Sequence, residues 1–398
     1  MTELKPWDQA EYLEAAKLVG LWMANSQCTP EHPWAQMTDS ADAGRFMEKY
    51  RLYKGVVRPA GVWLQGLSIT GLLYLAKSPV LDRDQFRAAA LMGGRYLASL
   101  QCFDPRWPHA HGALRETTPQ RPYSAPRDGA TGGFALVTLY RETGDDEWLW
   151  RARLFADWYM THGSDADGYP YDDFDLATGE GLQPLKGDWQ AGGALVYYYL
   201  WRITGEQAYL DAFERVVKGL VALCEQGPVD GTPWMFHTQS RLCRGNDDFA
   251  NTVLMAAYLA LGERSYLDWA VKRLTEELAW QSPDGACPNY AGTGVCALEW
   301  LDLAALATAE PDLGIDPEPF EDAAVRAARF GLSIQERHSD NPLVHGGLYG
   351  ESNYAAARSV VTARTATYLL PTFLRVGGCP CPVPSALGWE DAAPADRS

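Results

Sequence analysis

The chain predicts an all-α fold, an (α/α)6 toroid of six helical hairpins, and three observations carry that prediction. A short phrase recurs, "GDDEWL", "GEQAYL" and "GERSYL", in which Gly, three residues, an aromatic and Leu follow an apolar helix. The helix before each phrase is apolar nearly all round, as in "GGALVYYYLW" and "ANTVLMAAYLAL", while the helix after it is amphipathic. Connections alternate between short turns such as "RITGE" and long segments such as Gln101 to Arg127.

These features assign the elements in order. A first helix near 8–25 belongs to the outer ring, with outer partners near 84–101, 146–162, 206–225, 264–280 and 317–336. In the outer helix near 206–225 Tyr209, Leu210, Phe213, Val216, Val217, Leu220, Val221 and Cys224 fall on one stripe. Inner helices start near Gly61, Asp128, Asp188, Asp247, Thr293 and Asn353. Alternating extended patterns are scarce. One toroidal domain over 1–375 is followed by a Pro-rich tail, 376–398, acidic at its end and expected to lie as a strap and loose terminus.

Composition excludes several classes. A hydrophobic fraction of 47%, with 15 Trp and 20 Tyr, supplies a large core. The net charge of −17 opposes nucleic-acid or anionic-membrane binding, because phosphates are repelled. The N-terminal stretch has early acids and no basic region before an apolar core, and no run is long enough to span a membrane. Eight scattered cysteines fit buried free thiols, so a cytoplasmic chain is expected. With no H-E-x-x-H and no phosphate loop, neither metal nor cofactor is expected; "DDFD" at 172–175 reads as a solvated acidic turn.

The long loops emerge beside the inner-helix N-termini, which makes that face the candidate active site. Asp128, Asp188 and Asn246–Asp247–Asp248 stand at three inner-helix starts; Glu351 and Asn353 stand at the last, and Tyr290 just before the fifth. N-capping accounts for each acid singly, since its oxygens accept free backbone N–H groups. Convergence of six N-termini on one axis argues for a shared pocket. Arg58, Arg127, Arg244 and Arg358 accompany the acids, and guanidinium holds carboxylate through paired hydrogen bonds. Trp189, Trp234 and Tyr290 are candidates to shape sugar subsites. His109, His111, His237 and His345 lie in the same loops, where "HAHGALRE" and "VHGGLYGE" echo one another.

The hairpin phrase after an apolar helix resembles the six-hairpin glycosidase superfamily, over roughly residues 8–375, and most of all its unsaturated glucuronyl and rhamnogalacturonyl hydrolases. The resemblance implies an Asp at an inner-helix start as general acid/base with a second Asp assisting. By position these are Asp188 and Asp128, with Asp247 or Asp248 as substitutes. It further implies hydration of a terminal unsaturated uronate, whose carboxylate Arg127, Arg244 and Arg358 would hold. "WQAGGALV" after Asp188 departs from the Met-rich run of those hydrolases.

Related toroids include uronate or sugar epimerases and polysaccharide lyases. A lyase would take its base from Tyr290, Tyr354, His237 or His345. A cyclase of the terpene type is a further alternative, although D-x-D-D is absent. A non-catalytic glycan-binding toroid would use the same aromatic loops. The expected partner is an anionic oligosaccharide.

Overall fold

The computed structural model describes residues 6–30, 42–78, 83–185, 191–226, 249–287, 290–350 and 358–379. Six inner helices are α2 (Val62–Lys77), α4 (Pro126–Thr143), α6 (Ala191–Thr204), α8 (Ala250–Leu261), α10 (Tyr290–Ala309) and α12 (Ala363–Val376). Each packs on the next, and α12 returns to pack on α2, so the ring closes. The outer ring is α1 (Pro6–Asn25), α3 (Arg83–Leu100), α5 (Asp146–Trp158), α7 (Gln207–Gln226), α9 (Arg264–Leu278) and α11 (Glu318–Ser333). Every residue of α2 from Val62 to Ala76 is buried, as an inner position requires.

The recurrent phrase has a local cause. Gly144, Gly205 and Gly262 close inner helices in the left-handed conformation, each donating its N–H to a carbonyl four residues back. After Gly144, Asp145 caps α5 by accepting from the Glu147 N–H. The aromatic of each phrase, Trp148, Tyr209 or Tyr266, is then buried against the core.

Three expectations need correction. The fourth inner helix opens at Ala250, after Phe249, rather than near Asp247. The last opens at Ala363, capped by Thr362, rather than near Asn353. Strands are also more prominent than the pattern suggested. Strands β1 (Met47–Arg51), β2 (Val56–Pro59) and β6 (Val360–Thr362) form one antiparallel sheet in the order β2-β1-β6. Strands β3 (Tyr123–Ser124), β4 (Tyr171–Asp175) and β5 (Gly181–Pro184) form another, in chain order. All six strands lie in outer-to-inner connections, too short to show a period of two. The expected tail beyond Cys379 lies outside the described residues.

A glutamine staple recurs at four junctions of the outer ring. Gln101 follows α3 and donates to the carbonyls of Gly112, in its own loop, and Arg151, in α5. Gln27 does the same to Gly44 and Ala89, Gln281 to Gly285 and Ala323, and Gln335 to Gly346 and Ala15. Each staple ties one outer helix to the next and sets where the loop crosses. Three residues beyond the helical acceptor, the backbone passes against the loop glycine. At Gly112, with φ +104°, a Cβ would lie 2.3 Å from the Leu154 carbonyl oxygen. Only glycine meets both demands there.

Candidate active site

Asp128 is the third residue of α4. The cap position is Ala125, whose side chain makes no capping bond, so capping does not account for the acid. Its side chain is 15% exposed, with Arg127 Nε 3.4 Å from its carboxylate. Arg127 extends to Asp172 on β4, Nη2 to Oδ1 3.7 Å. Burial raises the Asp128 pKa above the usual carboxylate range; Arg127 and Arg364 oppose the shift, and Asp172 and Asp173 reinforce it. A carboxyl so placed holds its proton to higher pH, which is what a proton donor requires.

Two small sheets furnish this surrounding. The sheet containing β4 carries Asp172 and Asp173. It also carries Tyr123, paired with Asp175 across the ladder. The Tyr123 phenol is pushed up to about 12, chiefly by burial and by Glu116, so it stays protonated near neutrality. The other sheet serves Arg364. The register of β1 slips between Met47 and Lys49, a bulge at Glu48. Glu48 is buried there, with Arg58 Nε at 2.8 Å, Arg364 Nε at 3.5 Å and Lys49 Nζ at 3.7 Å. The Arg364 guanidinium lies over the Trp63 ring at 4.6 Å, and the Trp63 indole N–H donates to the Tyr368 hydroxyl at 3.2 Å.

The remaining candidates divide by position. Arg58 joins the cluster through Glu48. Arg358 is turned toward the outer ring, where Nη2 donates to the carbonyl of Ser333 at the end of α11. His345 donates its backbone N–H to Asn341, and the adjacent Gly346 packs on Leu18 of α1. His109 gives its carbonyl to the Trp158 indole N–H and so lies against α5. Tyr290 opens α10. Asp188, Trp189, Trp234, His237, Arg244, Asn246, Asp247, Asp248, Glu351, Asn353 and Tyr354 lie outside the described residues.

Sequence reasoning passed over Glu48, Trp63, Asp172, Asp173 and Arg364. Asp172 and Asp173 were visible in "DDFD" but were read as a solvated turn. Asp173 is exposed, as that reading expects, and Asp175 accepts from the N–H groups of Ala177 and Thr178, but the acids stand on strand β4 and Asp172 faces Arg127. Arg364 stands in the first turn of α12, a helix start that the sequence pattern places near Asn353. Among the described residues no group of three His, Cys, Asp or Glu is placed to hold a metal ion.

Solved structures share this architecture. An α-1,6-mannanase of glycoside hydrolase family 76 from a Salegentibacter species aligns with a TM-score of 0.64 at 15% identity, covering 92% of this chain and 99% of its own. Cellobiose 2-epimerase from Bacillus thermoamylovorans aligns with a TM-score of 0.64 at 14% identity, covering 93% and 99%. A D-mannose isomerase aligns with a TM-score of 0.64 at 15% identity, covering 95% and 100%. The fold is the (α/α)6 toroid. No family model and no curated protein matches the sequence.

Proposed function

We propose that this chain is a carbohydrate-active enzyme that acts at a glycosidic linkage through carboxylate acid/base chemistry, with Asp128 as a proton donor. The observation that carries the proposal is Asp128 itself: largely buried in the first turn of an inner helix, not used as a cap, and with its pKa raised. Asp172, which shares Arg127 with Asp128, is the candidate for the second carboxylate that such chemistry needs. Asp188, Asp247 and Asp248 remain candidates for the same role.

The mannanase neighbours support an oligosaccharide as substrate, since a variant of one was solved with α-1,6-mannotriose. The finer reading is hydrolysis of a uronate-containing oligosaccharide of the unsaturated glucuronyl type. It is supported by Arg127 and Arg364, whose positive charges bear on Asp128 and suit a sugar carboxylate. A second reading, epimerisation or isomerisation of a sugar, is favoured by the epimerase and isomerase among the neighbours. It would use the same carboxylates to move a proton at carbon.

The experiment is a substrate panel read in three ways on wild type and Asp128→Asn. Release of reducing ends from α-1,6-mannan oligosaccharides or uronate oligosaccharides, lost in the variant, supports hydrolysis. Falling absorbance of an unsaturated uronate identifies the finer type. Solvent deuterium entering a sugar carbon without new reducing ends moves the reading to epimerase or isomerase. Activity unchanged in Asp128→Asn sinks the assignment of the proton donor.

A further inference from the structure

A cavity of about 460 Å³ that does not include Asp128 is lined by the connections from α3 to α4 and from α5 to α6. Its wall includes Phe103, Asp104, Trp107, Arg115, Gln120 and Ala177. That volume lies within the range of small-ligand sites, and aromatic side chains line it. Trp107 is 47% exposed and meets His109 edge-on at 5.9 Å. Phe103 is fixed by stacking on Trp150 at 5.1 Å and by the Arg151 guanidinium at 4.4 Å. Asp104 is held by Arg106 through two bonds of 2.8 and 2.7 Å. The wall is therefore ordered before anything binds.

We infer that this cavity is a second saccharide-binding site, taking neutral pyranose units of an oligosaccharide on Trp107. The apolar face of a sugar ring matches an exposed indole, while its hydroxyls find Asp104, Arg115 and Gln120. The acid of the wall, Asp104, is paired with Arg106, and its guanidinium, Arg115, donates to the Leu100 carbonyl, so both charges are already engaged and a neutral ring is the ligand inferred. Strand β4 links the two sites. Asp172 and Asp173 lie on it, and the turn that follows brings Leu176 and Ala177 into the cavity wall. Even fully extended, the segment from Asp172 to Ala177 spans no more than about 17 Å, within reach of one oligosaccharide. The inference rests on the carbohydrate reading of the axial site.

Calorimetric titration of the full-length chain tests it, with Asp128→Asn as background so that turnover is suppressed. The probes are α-1,6-mannotetraose, cellotetraose and tetragalacturonate. At least one neutral tetrasaccharide binds, and adding Trp107→Ala weakens it by about tenfold, while Trp107→Phe retains most of the affinity. Equal binding with and without Trp107→Ala overturns the inference, as does preference for tetragalacturonate or absence of binding by all three. Trp107 is exposed, so an unchanged melting temperature certifies the variant. Turnover assays separate the two readings. Wild-type turnover that Trp107→Ala leaves unchanged on short and long substrates sinks the second site alone. Trp107-dependent binding with no turnover sinks the catalytic reading alone.

Discussion

The guanidinium of Arg364 lies 4.6 Å over the indole ring of Trp63. The contact joins the first turn of α12 to the first turn of α2, where the inner ring closes. Glu48 Oε1 lies 3.5 Å from the Arg364 Nε, and the charge of Arg364 bears on Asp128. Because Arg364 favours the ionised form of Asp128, its removal raises the Asp128 pKa. If Asp128 donates a proton, activity fails as pH rises through that value. Arg364→Met is expected to shift the alkaline limb of the kcat/KM profile upward. A limb unmoved by the substitution would disconnect Arg364 from the acid.

Asp172 and Asp173 predict the opposite sign. Both disfavour the ionised form of Asp128, and Asp172 also shares Arg127 with it. Asp173→Asn is expected to move the same limb downward with little change in fold. In Asp172→Asn the released Arg127 turns fully to Asp128, so the downward shift is larger. Parallel pH profiles of the two variants and wild type decide the matter.

The hairpins were legible in the sequence because their cause is local. Gly144, Gly205 and Gly262 must adopt the left-handed conformation, and an all-round apolar helix has one place in a double ring. Helix starts were less legible. The acids in "RGNDDF" and "ESNY" look like caps, yet α8 and α12 begin at Ala250 and Ala363. Of the residues gathered around Asp128 and Glu48, the sequence offers Arg127 and Asp128 on a helix and Arg58 on strand β2. Glu48, Asp172 and Asp173 reach it through short strands paired across long sequence separations, and the bulge at Glu48 breaks alternation within β1. The glutamine staples left no period at all, because the separation from Gln to its loop glycine is 17, 11, 4 and 11 residues.

Asp128 links activity to stability. Its folded pKa is raised, so between the unfolded value and the folded one the native state holds a proton that the unfolded chain has lost. Stability therefore falls as pH rises through that window, and above it the charged carboxyl costs stability. Asp128→Asn removes the charge. Activity is expected to drop by about 10²–10⁴-fold. The melting temperature of the variant is expected to exceed that of wild type at neutral pH. The difference closes as pH falls toward about 4, where the unfolded Asp also protonates. A variant less stable than wild type at neutral pH, with the gap widening as pH rises, would contradict the buried-charge account.

The staple at Gln101 separates two costs that lie side by side. Its amide donates to the carbonyls of Gly112 and Arg151 at 3.2 and 2.9 Å, and the side chain is buried. Gln101→Ala leaves two carbonyls without that donor, a loss of about 1–3 kcal/mol. Gln101→Glu costs more, because a carboxylate cannot donate and sets negative charge against two carbonyl oxygens. Gly112→Ala acts through the backbone instead, forcing a Cβ toward the Leu154 carbonyl at a positive φ. Denaturant unfolding should rank Gln101→Ala as milder than the other two. Hydrogen exchange should localise the loss to the junction of α3 and α5 in all three. Gln101→Ala with wild-type stability would show that the staple follows the packing of the outer helices and does not fix it.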